Sequence, residues 1–83
     1  MICFTPTAWA EYESLLTEDR QLVKRINQLI RDIGRDPFSG IGKPEPLKHQ
    51  LSGFWSRRID DEHRLVYRID GKAIVIIQCR YHY

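Results

Sequence analysis

Cysteine is scarce in this sequence, long apolar runs are missing, and neither sign of charge dominates. Cys3 and Cys79 are the only two cysteines, too few and too far apart for a CxxC pair or a disulfide framework. Both read as small buried hydrophobes near strand ends. No apolar run approaches the ~18–20 residues that span a bilayer, and the N-terminus lacks the basic-then-apolar layout of a signal peptide, so the cytoplasm is the expected location. His-x-x-x-His spacing, a nucleophile elbow, a P-loop and a dinucleotide fingerprint are all absent, so neither a metal nor a cofactor is expected. Repeats, low-complexity tracts and flexible linkers are missing too. What remains is 83 residues, 42% hydrophobic and 29% charged, the composition of an ordinary folded chain. One domain over residues 1–83 is expected.

The formal net charge of +2 hides an asymmetry. Residues 1–42 hold five Lys/Arg against six Asp/Glu, a net of −1, and residues 43–83 hold eight against five, a net of +3 with all three histidines. A polyanion would therefore dock on the second half.

Ile2-Cys3-Phe4 reads as a short strand. Thr5 suits a helix N-cap and Pro6 the first helical position, where a missing N–H costs nothing. Trp9, Tyr12 and Leu16 follow at helical spacing. After a break at Thr17-Glu18-Asp19, the residues Leu22, Val23, Ile26, Leu29, Ile30 and Ile33 make a continuous apolar stripe. Gly34 suits that helix's C-terminus, and Asp36-Pro37 prevents continuation. The pattern then dissolves from Phe38 to Gln50 into a long loop with Gly40, Gly42, Pro44 and Pro46. Three strand-like runs follow, Phe54–Ile59, His63–Ile69 and Lys72–Arg80, linked by Asp60-Asp61-Glu62 and by Asp70-Gly71, the latter a hairpin signal. The expected fold is α+β: two N-terminal helices packed on one face of a mainly antiparallel four-stranded sheet in β-α-α-β-β-β order, with the other face left to a ligand.

The chemistry-bearing residues lie on that second half. Glu45, between Pro44 and Pro46, is a carboxylate with little backbone freedom, as a general base requires; the same tetrapeptide also fits a rigid surface loop with a solvated Glu. If the acidic triplet closes a three-residue hairpin loop, Arg58 lies opposite Arg64. Like charges opposed across a sheet are destabilising unless an anion lies between them, and Arg suits bidentate phosphate binding. The alternative is two solvated arginines neutralised by Asp60, Asp61 and Glu62. In the terminal Arg80-Tyr81-His82-Tyr83, alternation puts Arg80 and His82 on one side and the tyrosines on the other. His82 is the natural acid–base group near neutral pH, and tyrosines stack on unpaired bases. One carboxylate, one imidazole and the cations Lys48, Arg58, Arg64 and Arg80 suffice for RNA cleavage by internal attack of the 2′-OH. A non-catalytic RNA-binding module and a protein-interaction domain are the rival readings; removing Glu45 separates the first, since only a nuclease needs it.

Lys43-Pro44-Glu45-Pro46-Leu47-Lys48, Leu51-Ser52-Gly53-Phe54-Trp55-Ser56-Arg57-Arg58-Ile59, Glu62-His63-Arg64-Leu65-Val66-Tyr67 and Arg80-Tyr81-His82-Tyr83 together resemble the YoeB (Txe) toxins of the RelE-like superfamily. The likeness covers essentially the whole chain. It implies a RelE-like, microbial-ribonuclease-like fold and an endoribonuclease that cuts mRNA in the ribosomal A site, with ribosomal RNA contacts and inhibition by a cognate antitoxin; a homodimer stays open. It would make Glu45 the general base, Arg64 the stabiliser of the transition-state phosphate and His82 the general acid. Tyr83 would orient the nucleotide, and Lys48 and Arg58 would support the phosphates.

Overall fold

The computed structural model describes residues 1–81. The elements run β1 (Ile2–Phe4), α1 (Pro6–Glu18), α2 (Arg20–Arg35), β2 (Glu45–Pro46), a 3-10 turn (His49–Leu51), β3 (Trp55–Arg58), β4 (Arg64–Asp70) and β5 (Ala73–Gln78). The expected helix start is there: Thr5 Oγ1 accepts from the N–H of Ala8 at 3.2 Å, with Pro6 first in the helix. Asp19 alone joins the two helices. Its N–H donates to Leu15 O, and its carboxylate accepts from the N–H of Leu22, capping α2. That helix continues through Gly34 to Arg35, one residue beyond the glycine, because Asp36 supplies the stop.

All six residues of the α2 stripe are buried and share one cluster with Leu65, Tyr67, Ile74 and Ile76 of the sheet. Burying each such side chain stabilises the fold by about 1.5–3 kcal/mol. On α1 the inward positions are Ala8, Tyr12 and Leu15, whereas Trp9 is 46% and Leu16 40% exposed. The expected stripe was therefore one position off at each end, since i, i+3, i+7 (Trp9, Tyr12, Leu16) and i, i+4, i+7 (Ala8, Tyr12, Leu15) are both helical spacings through Tyr12.

The sheet has five strands, not four, in the order β1-β5-β4-β3-β2, with β1 parallel to β5 and the rest antiparallel. The added strand, β2, is only two residues long and holds a proline, too short for periodicity to reveal. Pro46 has no N–H to give, which suits an edge strand. The β4–β5 turn is Gly71-Lys72, because Asp70 already pairs with Ala73. Gly71 sits at φ +59 in the first turn position, as a primed hairpin turn requires.

Between β4 and β5, Val66 pairs with Gln78 but Tyr67 with Ile76, leaving Ile77 as an extra residue. A one-residue bulge reverses side-chain parity. Gln78 is thereby turned to the face away from the helices, and Cys79 goes fully into the core. The helix-free face carries Ser56, Arg58, Arg64 and Val66.

Candidate active site

Arg58 and Arg64 are direct partners across the β3–β4 ladder. The register follows from the turn: the N–H of Ile59 donates to His63 O at 3.0 Å, leaving Asp60 to Glu62 as the loop. Asp60 Oδ1 accepts from the N–H groups of Glu62 and His63, and no ion pair joins the acidic triplet to either arginine among the described residues. Arg64 instead donates to the carbonyls of Asp60 at 2.6 Å and His63 at 3.0 Å. On the other side of β3, Glu45 is the ladder partner of Ser56. Lys43, Glu45, Ser56, Arg58 and Arg64 line one cleft of about 140 Å³. A carboxylate and three cationic side chains around so small a volume can take a proton and hold an anion. A wider depression of about 520 Å³ on α2 is lined by Gln21, Lys24, Arg25, Asn27, Gln28 and Arg31, none of which is an acid–base group suited to neutral pH.

The loop that carries Lys43 and Glu45 is fastened by Arg57, whose side chain is completely buried. All five of its N–H donors are used. Nε donates to Tyr67 Oη, Nη1 to Asp32 Oδ2 at 2.6 Å and to Ile41 O, and Nη2 to the carbonyls of Asp36 and Ser39. Tyr67 Oη in turn donates to Pro37 O. Asp32 also accepts from Arg35 and from the N–H of Ile41. These bonds, Arg35's first and then Arg57's, hold its carboxyl well below the usual range. The loop lies so close to this knot that a Cβ on Gly40 would stand 2.0 Å from Asp32 Oδ2, and one on Gly42 2.8 Å from Leu29 Cδ2. Gly42 O accepts from the N–H of Arg58 at 2.6 Å, which lays the loop along β3 just before Glu45.

Beyond β5 the chain is tied down from three directions. Glu11 accepts from the N–H of Cys79 at 3.0 Å. Burial, with the Glu11 carboxylate nearby, pushes the Cys79 thiol up to about 12, which makes it inert. Arg80 forms a two-point pair with Glu18, at 3.1 Å each, and donates to Ser14 Oγ; this pairing lowers the Glu18 carboxyl and raises the Arg80 guanidinium. Tyr81 stands at φ +67, and its N–H donates to His63 Nδ1 at 2.7 Å.

A family model described as "YoeB-like toxin of bacterial type II toxin-antitoxin system" matches residues 4–83. The chain belongs to that family. It is 60% identical to Toxin YoeB of Streptomyces coelicolor over 99% of this chain and 98% of that one. To Toxin YoeB of Escherichia coli K12 it is 52% identical over the same shares. Among solved structures, a YoeB/ParE toxin from Agrobacterium tumefaciens superposes with a TM-score of 0.96 at 49% identity, covering 99% of this chain and 98% of that one. A toxin in a heterotetrameric YoeB-YefM complex from Staphylococcus aureus gives 0.94 at 48% identity, covering 100% and 97%. YafQ from E. coli, at 14% identity and a TM-score of 0.75, shares the fold.

Of the residues expected from the sequence, the structure brings Glu45, Arg58 and Arg64 together and adds Lys43 and Ser56. Lys48 is exposed at the start of the 3-10 turn, outside the residues lining the cleft. Arg80 faces α1 rather than the cleft. β5 ends at Gln78, so the strand alternation expected for the last four residues does not reach Arg80 and Tyr81, and Tyr81 is left-handed. His82 and Tyr83 lie outside the described residues. Sequence reasoning missed the Arg57–Asp32 knot. The signal was there in Arg57-Arg58: adjacent residues of a strand point to opposite faces, so one of the two had to enter the core.

Proposed function

We propose that this chain, as one domain over residues 1–83, is a ribosome-dependent endoribonuclease that cuts mRNA in the A site by general acid–base catalysis. In this reading Glu45 takes the proton of the attacking 2′-OH. Arg64 neutralises the charge developing on the phosphate, and Arg58 and Lys48 hold the flanking backbone. His82 protonates the leaving 5′-oxygen, and Tyr83 orients the nucleotide. Arg80 acts by anchoring the tail against α1 instead of by touching RNA, because Glu18 holds its guanidinium. The observation that carries the reading is the opposed pair Arg58 and Arg64 beside Glu45. Like charges opposed across a sheet cost stability, and a bound phosphate would offset that cost. The catalytic partner in the cell is mRNA on the ribosome, and a protein antitoxin, as in the Staphylococcus aureus complex, holds the activity in check. The two cytoplasmic partners make the cytoplasm its place of action.

The test is to add purified chain to ribosomes carrying mRNA and map the ends. A-site cuts leaving a 5′-hydroxyl and a 2′,3′-cyclic or 3′-phosphate are expected, and Glu45→Gln should lower the rate by ~10²–10⁴-fold with an unchanged melting temperature. Products with 5′-phosphate ends, or full activity in a folded Glu45→Gln variant, would sink the mechanism.

A further inference from the structure

We infer that His63 is a positioning residue that holds the C-terminal tail in register with Arg64. The inference rests on the nuclease reading for its consequence, though not for its geometry. His63 is itself held: its N–H donates to Asp60 Oδ1 at 2.7 Å, and its carbonyl accepts from the N–H of Ile59 and from Arg64 Nη1. Its side chain is 13% exposed, and its ring lies 5.6 Å from that of Tyr81. Nδ1 accepts the N–H of Tyr81 at 2.7 Å, so the neutral ring carries its proton on Nε2. The next residue completes the grip, because the N–H of Arg64 donates to Tyr81 O at 3.1 Å, and Gln78 Nε2 donates to the same oxygen at 2.9 Å.

Residues 63 and 64 thus clamp both peptide groups of Tyr81. That clamp is needed, since Tyr81 adopts a left-handed backbone, φ +67, which residues with a Cβ rarely keep unless their surroundings impose it. One dipeptide therefore fixes two things at once: the guanidinium assigned to the phosphate, and the backbone from which His82 and Tyr83 start. An imidazole without catalytic contact would then set the backbone of Tyr81 beside the proposed phosphate ligand.

The test uses the full chain, wild type, His63→Leu and His63→Asn, with two readouts. Asn places an acceptor oxygen where Nδ1 stood; Leu keeps bulk and removes the acceptor. Amide exchange should show the Tyr81 N–H protected in wild type and in the Asn variant but exchanging freely in the Leu variant, with Leu65 and Tyr67 protected in all three. Single-turnover cleavage of ribosome-bound mRNA should fall on the order of 10²-fold for Leu, the scale of a small misplacement of a reacting group, with KM unchanged, and Asn should restore most of it. An NMR coupling across the Tyr81 N–H to His63 Nδ1 bond reads the same contact in the wild type without any substitution. A missing coupling, a Tyr81 amide protected equally in the Leu variant, or failure of Asn to restore cleavage would each overturn the inference. A wild-type chain that cuts nothing on ribosomes would overturn the functional reading instead, and the exchange arm would still decide the clamp.

Discussion

Arg57 and Arg58 are neighbours with opposite duties. The first is sealed in the core with every N–H bonded; the second is exposed and faces the like charge of Arg64. Alternation along β3 is enough to separate them, but alternation does not say which one goes in. That choice depends on Asp32, twenty-five residues away, being present under β3. The exposed member carries a prediction in which stability and activity move in opposite directions. Arg58→Ser removes a repulsion and should raise the unfolding free energy by about 0.2–1 kcal/mol, while cleavage of ribosome-bound mRNA falls. Chemical denaturation beside a cleavage assay checks both signs, and a variant that loses stability would mean the two guanidinium groups do not repel in the free protein.

At the level of elements, helices and hairpins follow from short-range rules, and the loop of the candidate site does not. The α2 stripe and the Thr5 cap stand where periodicity and capping chemistry put them, and the last hairpin turn falls only one residue later than expected, at Gly71-Lys72. The loop from Pro37 to Pro44 has no pattern of its own; it takes its shape from the buried Arg57 and from close backbone approach at Gly40 and Gly42. Gly42→Ala tests this. The residue sits at φ +80, and a Cβ there would meet Leu29 Cδ2 at 2.8 Å and Arg58 O at 3.1 Å. We expect a loss of roughly 1–3 kcal/mol, the usual cost of overpacking, read as a lower melting temperature, together with weaker cleavage as Glu45 is displaced. Unchanged melting and activity would show that the loop is not set by this contact. The two-residue strand β2 belongs to the same class of feature: it exists only because β3 offers an edge to pair with.

For the molecule as a whole, the knot around Asp32 ties α2, the loop and the sheet together, so its ionisation should be felt in global unfolding. Its carboxyl titrates well below the ordinary carboxylate range because Arg35, Arg57 and the N–H of Ile41 all favour the charged form. A lowered folded-state value means that its contribution is complete above the unfolded value of ~4 and disappears as pH falls towards the folded one. Asp32→Asn should therefore unfold at a lower temperature than wild type near neutral pH. The gap should hold down to about pH 4 and narrow below it. Thermal melts between neutral and strongly acidic pH measure this; a gap that persists in acid would show that Asp32 acts through shape rather than charge. Glu18 and Asp36 are also lowered, by Arg80 and by Ser39 with Phe38 respectively, and they titrate alike in both proteins.

By itself the sequence determined the helix pair, the hairpins, and the residues able to do chemistry. It also implied that Arg58 meets Arg64 on the condition of a three-residue Asp60–Glu62 turn, and the structure has that turn. These follow from side-chain periodicity and turn length, which act over a few residues. Tertiary structure alone decided that Arg57 is scaffold, that Arg80 turns to Glu18 instead of the cleft, and that a bulge at Ile77 reverses the parity of the chain leading to Tyr81. It alone decided that His63 grips that residue. Each of these depends on groups distant in sequence meeting in a low-dielectric interior, where a charge or an N–H must find a partner, and no local pattern says which partner it will be.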